Sequence, residues 1–213
     1  MPGPTVTFGE IMLRLTPPGF ERLMQSPVLH ATFGGGEANV AASLAGFGLP
    51  AAFVTILPQA NPLGDAAIGE LRGFGVDTSH IARSAGRMGI YFLETGASQR
   101  GSRVVYDRAG SAFALASATI DWTRVLAGAG WFHVTGITPA VSEGAASLAI
   151  DAARTARGMG ITVSCDLNFR KNLWKWGKPA SAVMPELVRA SDVLIANEED
   201  IQMALGLTAR ITI

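Results

Sequence analysis

The sequence predicts an α/β fold with a mostly parallel central sheet that helices cover on both faces. Short apolar runs of strand length alternate with segments of helical period along most of the chain, a pattern typical of parallel sheets with helical connections. Between about residues 86 and 112 the period changes to two, which indicates a small antiparallel element. The 213 residues are 48% hydrophobic and 16% charged, so the chain can bury one sizeable core.

The first half of the chain contains two predicted strand and helix pairs. The glycines of residues 34–36 precede the first helix, and Gly48 and Pro50 end it. Asp65 is the predicted N-cap of the second helix, which stops at Gly75. The two strands are the short β-prone runs at residues 5–8 and 51–57.

The middle of the chain predicts a hairpin, and the second half returns to the first pattern. The strands GIYFLET and SRVVYDR are joined by the polar segment GASQRG, which suits a hairpin. From Ile120 onward, helical and strand segments alternate again. They are a short helix, the strand WFHVTG, a helix over residues 142–159, the strand ITVSCDLNFR, a helix near residues 180–190, the strand VLIAN and a helix from Glu198.

The charge balance and the single cysteine exclude several classes of protein. Lysine and arginine together number 17, as do aspartate and glutamate, so no net field recruits nucleic acid or an anionic membrane, and small polar ligands are favoured. Cys165 alone allows neither an internal disulfide nor a multi-cysteine metal site, and it fits a reducing compartment. The start of the chain shows no basic and apolar leader, and no apolar run approaches ~18 residues, so a cytoplasmic location is expected.

Polar residues follow several predicted strands, at the edge where parallel α/β sheets bind ligands. Asp166, Asn168 and Arg170 are spaced by two, so a strand that continued through them would place all three on one side. Such a set suits a polar pocket, and it suits equally well a strand-end salt bridge with caps. Asn197 and Asp200 follow the later strand VLIA in the same way.

The predicted hairpin carries two tyrosines and an arginine. Tyr106 and Arg108 share one face of their strand, and Tyr91 lies on the neighbouring strand. An aromatic ring can cover a sugar face, and an arginine offers a fork that matches a carboxylate. The alternative interpretation is the solvated face of a two-stranded flap.

The segment FGGGEANVAASLAGFGLP places three glycines before a helix, where a phosphate could bind. No lysine follows the glycines, so the P-loop pattern is absent. Gly34 and Gly36 match two positions of the dinucleotide fingerprint, but Asn39 occupies the third and the next strand has no acid at its end. The helix N-terminus still favours an anion or a hydroxyl-rich ligand.

Seven segments, taken in order, resemble the ribokinase-like (phosphofructokinase-B, PfkB) carbohydrate kinases, and above all the 2-keto-3-deoxygluconate kinases. They are GGGEANVAASLAGFG, PLGDAAIGELRGFGVD, GIYFLE, RVVYDRAGSA, VTGITPAVS, CDLNFRKNLW and LIANEED. The resemblance implies transfer of the ATP γ-phosphate, with Mg²⁺, to a hydroxyl of a sugar acid, and a homodimer formed through a β-lid. It also implies a three-layer, doubly wound, Rossmann-like core of residues 1–10, 34–85 and 113–213, with residues 11–33 and 86–112 as the lid.

The resemblance also implies roles for individual residues. The residues that would contact the sugar are Gly35, Gly36, Asn39, Tyr91, Tyr106, Arg108, Ile137 and Arg170. Those that would lie near the phosphates and Mg²⁺, without binding the metal directly, are Asn168, Asn197 and Asp200. The two arginines suit an acidic sugar, because a carboxylate gains directional, charge-assisted bonds. Asp200 stands where the family usually has glutamate, and Glu37 replaces a residue that is small in the wider family.

The resemblance places no catalytic base within these residues. The family carries a Gly-Ala-Gly-Asp segment whose N–H groups hold the transferring phosphate and whose aspartate takes the hydroxyl proton. Here residues 128–130 read Gly-Ala-Gly but lead into Trp131 and a strand, so we expect the base, with the C-terminal part of the fold, beyond Ile213. The expectation is a kinase chain that holds the sugar half of the site and does not turn over alone. The alternatives are a non-catalytic sugar-acid-binding protein and a kinase of the same family for a neutral sugar such as fructose or ribose.

Overall fold

A computed structural model of the chain describes residues 3–208. The strands are β1 (Thr5–Phe8), β2 (Met12–Thr16), β3 (His30–Gly34), β4 (Ala51–Val54), β5 (Ile56–Pro58), β6 (Ala82–Ser84), β7 (Ile90–Glu94), β8 (Arg103–Asp107), β9 (Trp131–Thr135), β10 (Thr162–Asp166) and β11 (Val193–Ile195). The helices are α1 (Gly36–Gly46), α2 (Pro62–Gly73), α3 (Ala112–Leu115), α4 (Trp122–Val125), α5 (Ile137–Val141), α6 (Glu143–Gly158), α7 (Ala180–Arg189) and α8 (Glu198–Leu205).

Five parallel strands form the central sheet, in the order β11-β10-β9-β1-β4. The predicted parallel sheet is therefore confirmed. Because all five strands run in one direction, their carboxyl ends meet at a single edge. Gly9, Gly136 and Leu167 begin the connections that leave this edge after β1, β9 and β10, and the polar residues of interest lie beside them.

Helices cover the sheet on both faces, and neighbouring residues of one strand pack on opposite sides. Val54 and Phe132 pack with the apolar residues of α6 and α7. Phe53 packs instead with α1 and with Leu71 of α2. The alternation follows from the strand geometry, since successive side chains point to opposite faces. The predicted three-layer arrangement is confirmed.

The helices are of modest length, and the longest described, α6, has 16 residues. Its buried side consists largely of alanines, which let the helix lie close to the sheet: Ala145, Ala146, Ala149, Ala152, Ala153 and Ala156. Within residues 3–208, no helix combines the length and the apolar character that a bilayer crossing requires.

A second sheet has four strands in the order β3-β2-β7-β8. The antiparallel pair β7 and β8 confirms the predicted hairpin, with Ile90 opposite Asp107. β2 pairs with β7 in parallel and with β3 in antiparallel fashion. The predicted antiparallel hairpin is therefore part of a wider, mixed sheet, which carries the tyrosines on two adjacent strands.

The predicted N-cap of α2 is wrong. Asn61 caps the helix, and its Oδ1 accepts a hydrogen bond from the Leu63 N–H at 2.9 Å. Pro62 fixes this start, because proline lacks an N–H and its φ suits the first helical position. Asp65 lies in the first turn instead, where it bonds Nη2 of Arg83 at 2.5 Å.

The apolar run at residues 51–57 is two strands rather than one. β4 ends at Val54, and β5 leaves the central sheet to pair with β6 in a separate two-stranded sheet. An apolar run does not reveal such a change of partner, because both strands are fully buried.

Candidate functional site

A cavity of about 140 Å³ lies where the end of β1, the start of α1 and the four-stranded sheet meet. This is the edge of the sheet at which open α/β folds bind ligands. We name this space the glycine cavity. Of the eight residues that the resemblance assigns to the sugar, seven line it: Gly35, Gly36, Asn39, Tyr91, Tyr106, Arg108 and Ile137.

Two of the glycines allow close contacts, Gly34 within the four-stranded sheet and Gly35 between the start of α1 and the segment that follows β1. A Cβ on Gly35 would overlap the backbone at Glu10, and a Cβ on Gly34 would lie 2.6 Å from the Tyr91 hydroxyl oxygen. Gly36 differs, because a Cβ there would meet no atom closer than 3.7 Å. Packing against the backbone therefore requires glycine at position 35, a side chain at position 34 would have to displace the Tyr91 hydroxyl, and the free space beside Gly36 belongs to the cavity.

The register of the four-stranded sheet puts four side chains in one row. Arg14 on β2 is opposite Thr32 on β3 and Tyr91 on β7, and Tyr91 is opposite Tyr106 on β8. Opposite residues of neighbouring strands point to the same face. The ring centroids of Tyr91 and Tyr106 are 5.9 Å apart, and both residues line the glycine cavity. This face of the sheet therefore covers the glycines with aromatic rings.

Arg108 reaches the cavity as one half of a buried ion pair. Its Nε and Nη2 lie 2.7 Å and 2.5 Å from Oε2 of Glu10, and Ser111 Oγ donates to Glu10 Oε1 at 2.6 Å. The side chains of Arg108 and Glu10 are only 10% and 3% exposed. Glu10 therefore joins the end of β1 to the end of β8 and offsets the charge of Arg108. It is not predicted from the sequence, although a carboxylate directly after a buried strand and a glycine is a signal of a special position.

A second buried carboxylate, Glu37, lies in the first turn of α1. Its Oε1 accepts hydrogen bonds from the Thr135 N–H at 3.0 Å, from Thr135 Oγ1 at 2.8 Å and from Thr138 Oγ1 at 2.8 Å. Burial raises the pKa of this carboxyl, and the hydrogen bonds act against the rise. Thr135 Oγ1 also accepts the Ile137 N–H at 3.2 Å. Glu37 thus connects α1 to the end of β9 and steadies the cavity wall at Ile137.

A further cavity of about 320 Å³ lies at the carboxyl ends of β10 and β11. We name it the β10 cavity. It holds Asn168, Asn197 and Asp200, which the resemblance assigns to the phosphates, and also Arg170, which the resemblance assigns to the sugar. The structure therefore brings Arg170 together with the first three residues and not with the residues that line the glycine cavity.

The expectation that Asp166, Asn168 and Arg170 share one face of a strand is wrong, because β10 ends at Asp166. Asn168 has a φ of 36°, in the left-handed region, and its N–H donates to Asp166 Oδ1 at 3.1 Å. Asp200 Oδ1 accepts the next N–H, that of Phe169, at 3.0 Å. The three polar residues reach the same cavity through a turn that a carboxylate of α8 holds in place.

The side-chain oxygens that line the β10 cavity suit a cation that is bound together with phosphate groups. Burial raises the pKa of the Asp166 carboxyl and the nearby Asp200 charge adds to this, whereas the Asn168 N–H acts against it. Among residues 3–208, no group of three or more His, Cys, Asp or Glu side chains could hold a metal ion by itself. Mg²⁺ is commonly bound through one or two carboxylates together with substrate phosphates, and these residues fit that arrangement.

Comparison with protein families agrees with this geometry. Residues 5–211 match the pfkB family carbohydrate kinases. The chain belongs to this family of carbohydrate kinases.

Sugar-acid kinases are among the most similar proteins. The crystal structure of 2-dehydro-3-deoxygluconokinase from Thermotoga maritima is 53% identical, with a TM-score of 0.90 over 97% of this chain and 63% of that one. The 2-dehydro-3-deoxygalactonokinase of Haloferax volcanii is 37% identical over 202 residues, which are 95% of this chain and 63% of that protein. The 2-dehydro-3-deoxygluconokinase of Thermoproteus tenax is 32% identical over 94% of this chain and 61% of its own length. This chain spans less than two thirds of the length of these relatives.

Proposed function

We propose that the chain supplies the sugar-acid-binding part of a kinase. The kinase would transfer the γ-phosphate of ATP to a hydroxyl of 2-keto-3-deoxygluconate, also named 2-dehydro-3-deoxygluconate, or of its galactonate epimer. One observation carries the proposal: a glycine floor faces Tyr91, Tyr106 and Arg108 across one cavity. The names of the similar proteins support the choice of these two sugar acids.

Each part of the glycine cavity has a task in this proposal. The bare backbone at Gly36 lets sugar hydroxyls approach the free N–H groups at the start of α1. Tyr91 and Tyr106 would cover the apolar face of the sugar and offer hydroxyls as hydrogen-bond partners. The four-stranded sheet would act as a lid, formed by residues 11–33 and 86–112, that keeps water from the bound sugar.

The β10 cavity lies at the same edge of the central sheet, and it suits the phosphates of ATP. Asn168, Asn197 and Asp200 would face these phosphates and the Mg²⁺ that accompanies them. ATP would supply the phosphoryl group, and Mg²⁺ would neutralise the charge of its phosphates. The task of this chain would be to position the acceptor sugar, on which phosphoryl transfer depends strongly. A contact between Arg170 and the sugar acid requires a ligand that extends toward this second cavity.

A neutral sugar such as fructose or ribose is the second candidate, and one observation favours it. Arg108 is already paired with Glu10, and Arg170 lies in the β10 cavity. These two arginines therefore offer less free positive charge to the glycine cavity than their number indicates.

We expect calorimetry to detect binding of both sugar acids to the chain and weaker binding of fructose and ribose. Tyr106→Ala should weaken acid binding by about tenfold, because it removes the ring that covers the sugar. Phe47→Ala is the matched control, since Phe47 is an exposed aromatic residue outside the lid and the cavity, and it should bind as the wild type does. A heat of binding with fructose or ribose but with neither sugar acid would favour the neutral sugar. No heat of binding with any of the four compounds would overturn the proposal.

A further inference from the structure

The glycine cavity adjoins another cavity, of about 290 Å³, beside β2 and β3. Gly34 and Asn39 line both spaces, so a ligand on the glycine floor has this second space directly next to it. Arg14 also lines the second space. We name it the Arg14 cavity.

Arg14 is aimed toward the ligand side of the four-stranded sheet. It lies in the same row as Tyr91 and Tyr106, so its side chain leaves the sheet on the face that covers the glycines. Arg14 is directly opposite Tyr91 in the pairing of β2 with β7, so the two side chains are neighbours on this face. Arg14 lines the space next to the glycine cavity, together with Gly34 and Asn39, which line both spaces.

The guanidinium of Arg14 keeps most of its binding capacity. Its Nε donates to Thr32 Oγ1 at 2.8 Å, which uses one of the five N–H groups of an arginine. No carboxylate of residues 3–208 forms an ion pair with it. Arg14 is also half-buried, so a bond to its charge is less weakened by water than one at the open surface.

Two other arginines are less suited to meet a ligand carboxylate at the glycine floor. Arg108 already donates from Nε and Nη2 to Glu10, and a ligand carboxylate beside it would also meet the negative charge of Glu10. Arg170 is exposed and lines the β10 cavity. Glu70 is a carboxylate that lines the Arg14 cavity, but it is exposed, and water screens its repulsion.

We propose that Arg14 is a specificity-determining residue, whose guanidinium binds the carboxylate of a sugar acid while the sugar hydroxyls rest on the glycine floor. The inference rests on the proposed function and deepens it. Tyr91 and Tyr106 would then recognise the sugar, and Arg14 would select the acid over the neutral sugar. The selection would depend on the register of the sheet, which puts all three side chains on the same face.

The test compares an acid with its neutral counterpart. The ligands are 2-keto-3-deoxygluconate and 3-deoxyfructose, which has a hydroxymethyl group where the acid has its carboxylate. Calorimetry should show that Arg14→Gln binds the acid about ten- to a hundredfold more weakly, since a hydrogen-bonded charge pair is lost. The affinity for 3-deoxyfructose should change less than about twofold, because this ligand has no charge to lose. Arg14→Lys should recover part of the loss, as it keeps the charge without the planar fork.

Arg124→Gln is the matched control, since Arg124 is an exposed arginine outside the lid that lines neither cavity, and it should bind both ligands as the wild type does. Wild-type affinity of Arg14→Gln for the acid would overturn the inference alone. Equal losses of affinity for both ligands would also overturn the inference, because they would indicate a distorted lid. A wild-type chain that binds neither ligand would overturn the proposed function and this inference with it.

Discussion

Glu10→Ala is expected to lower the free energy of unfolding by about 3–5 kcal/mol, the range found when one partner of a buried ion pair is removed. Glu10 accepts two N–H groups of Arg108 and the hydroxyl of Ser111, and its side chain is 3% exposed. Without the carboxylate, the Arg108 guanidinium would remain in a site that is 10% exposed and has no partner for its charge. The effect should be large because the pair also joins two parts of the chain that are 98 residues apart.

Urea denaturation of a double-mutant cycle measures this effect. Glu10→Ala and Arg108→Ala should each destabilise the chain strongly, whereas the double variant should lose much less than the sum, because no charge is then left without a partner. Asp65→Ala is the control, since the Asp65 side chain is 67% exposed in its pair with Arg83, and such surface pairs contribute about 1 kcal/mol or less. A free energy of unfolding for Glu10→Ala within about 1 kcal/mol of the wild-type value would contradict the stabilising role of the buried pair.

Glu37→Gln is expected to change how stability depends on pH. Burial holds the pKa of the Glu37 carboxyl above its value in the unfolded chain. In the window from the unfolded value, about 4.3, up to the raised folded value, the folded chain binds more protons than the unfolded chain. The stability due to this group is therefore complete below the window and is lost as pH rises through it. Glutamine keeps an oxygen for the donors on Thr135 and Thr138 but has no charge, so this loss disappears.

Chemical denaturation at pH 5 and pH 8 tests the sign of this pH dependence of the free energy of unfolding. The free energy of unfolding of Glu37→Gln minus that of the wild type should be larger at pH 8 than at pH 5. Taking this difference removes the contributions of the other titrating groups, which both proteins share. Glu37→Ala should lose about 3 kcal/mol or more at both pH values, because it leaves several buried donors unpaired. The same pH dependence in wild type and Glu37→Gln would show that the carboxyl does not titrate in the way that its burial requires.

The sequence predicts the fold well because the fold depends on local patterns. Buried strands and helices alternate along the chain in the predicted order. The hairpin is visible as a change of the hydrophobic period to two. The family resemblance rests on several ordered segments, and seven of its eight sugar residues meet at one cavity. Short-range patterns are sufficient for the order of strands and helices, whereas the roles of the sugar residues come from the family resemblance.

Features that depend on distant contacts could not be predicted in this way. The end of β10 at Asp166 is set by bonds that the following turn makes, including one with Asp200 of α8. The role of Glu10 depends on an arginine 98 residues away. The face on which Arg14 lies follows from the register of β2 against β7, and a shift of one residue would turn the side chain to the other side.

The location of a bound sugar acid tests the central claim most directly. We expect a crystal structure of the chain with 2-keto-3-deoxygluconate to show the sugar between the glycine floor and the rings of Tyr91 and Tyr106, with an oxygen within hydrogen-bond distance of Arg108. A ligand bound only in the β10 cavity, or one outside the row of tyrosines, would contradict the account.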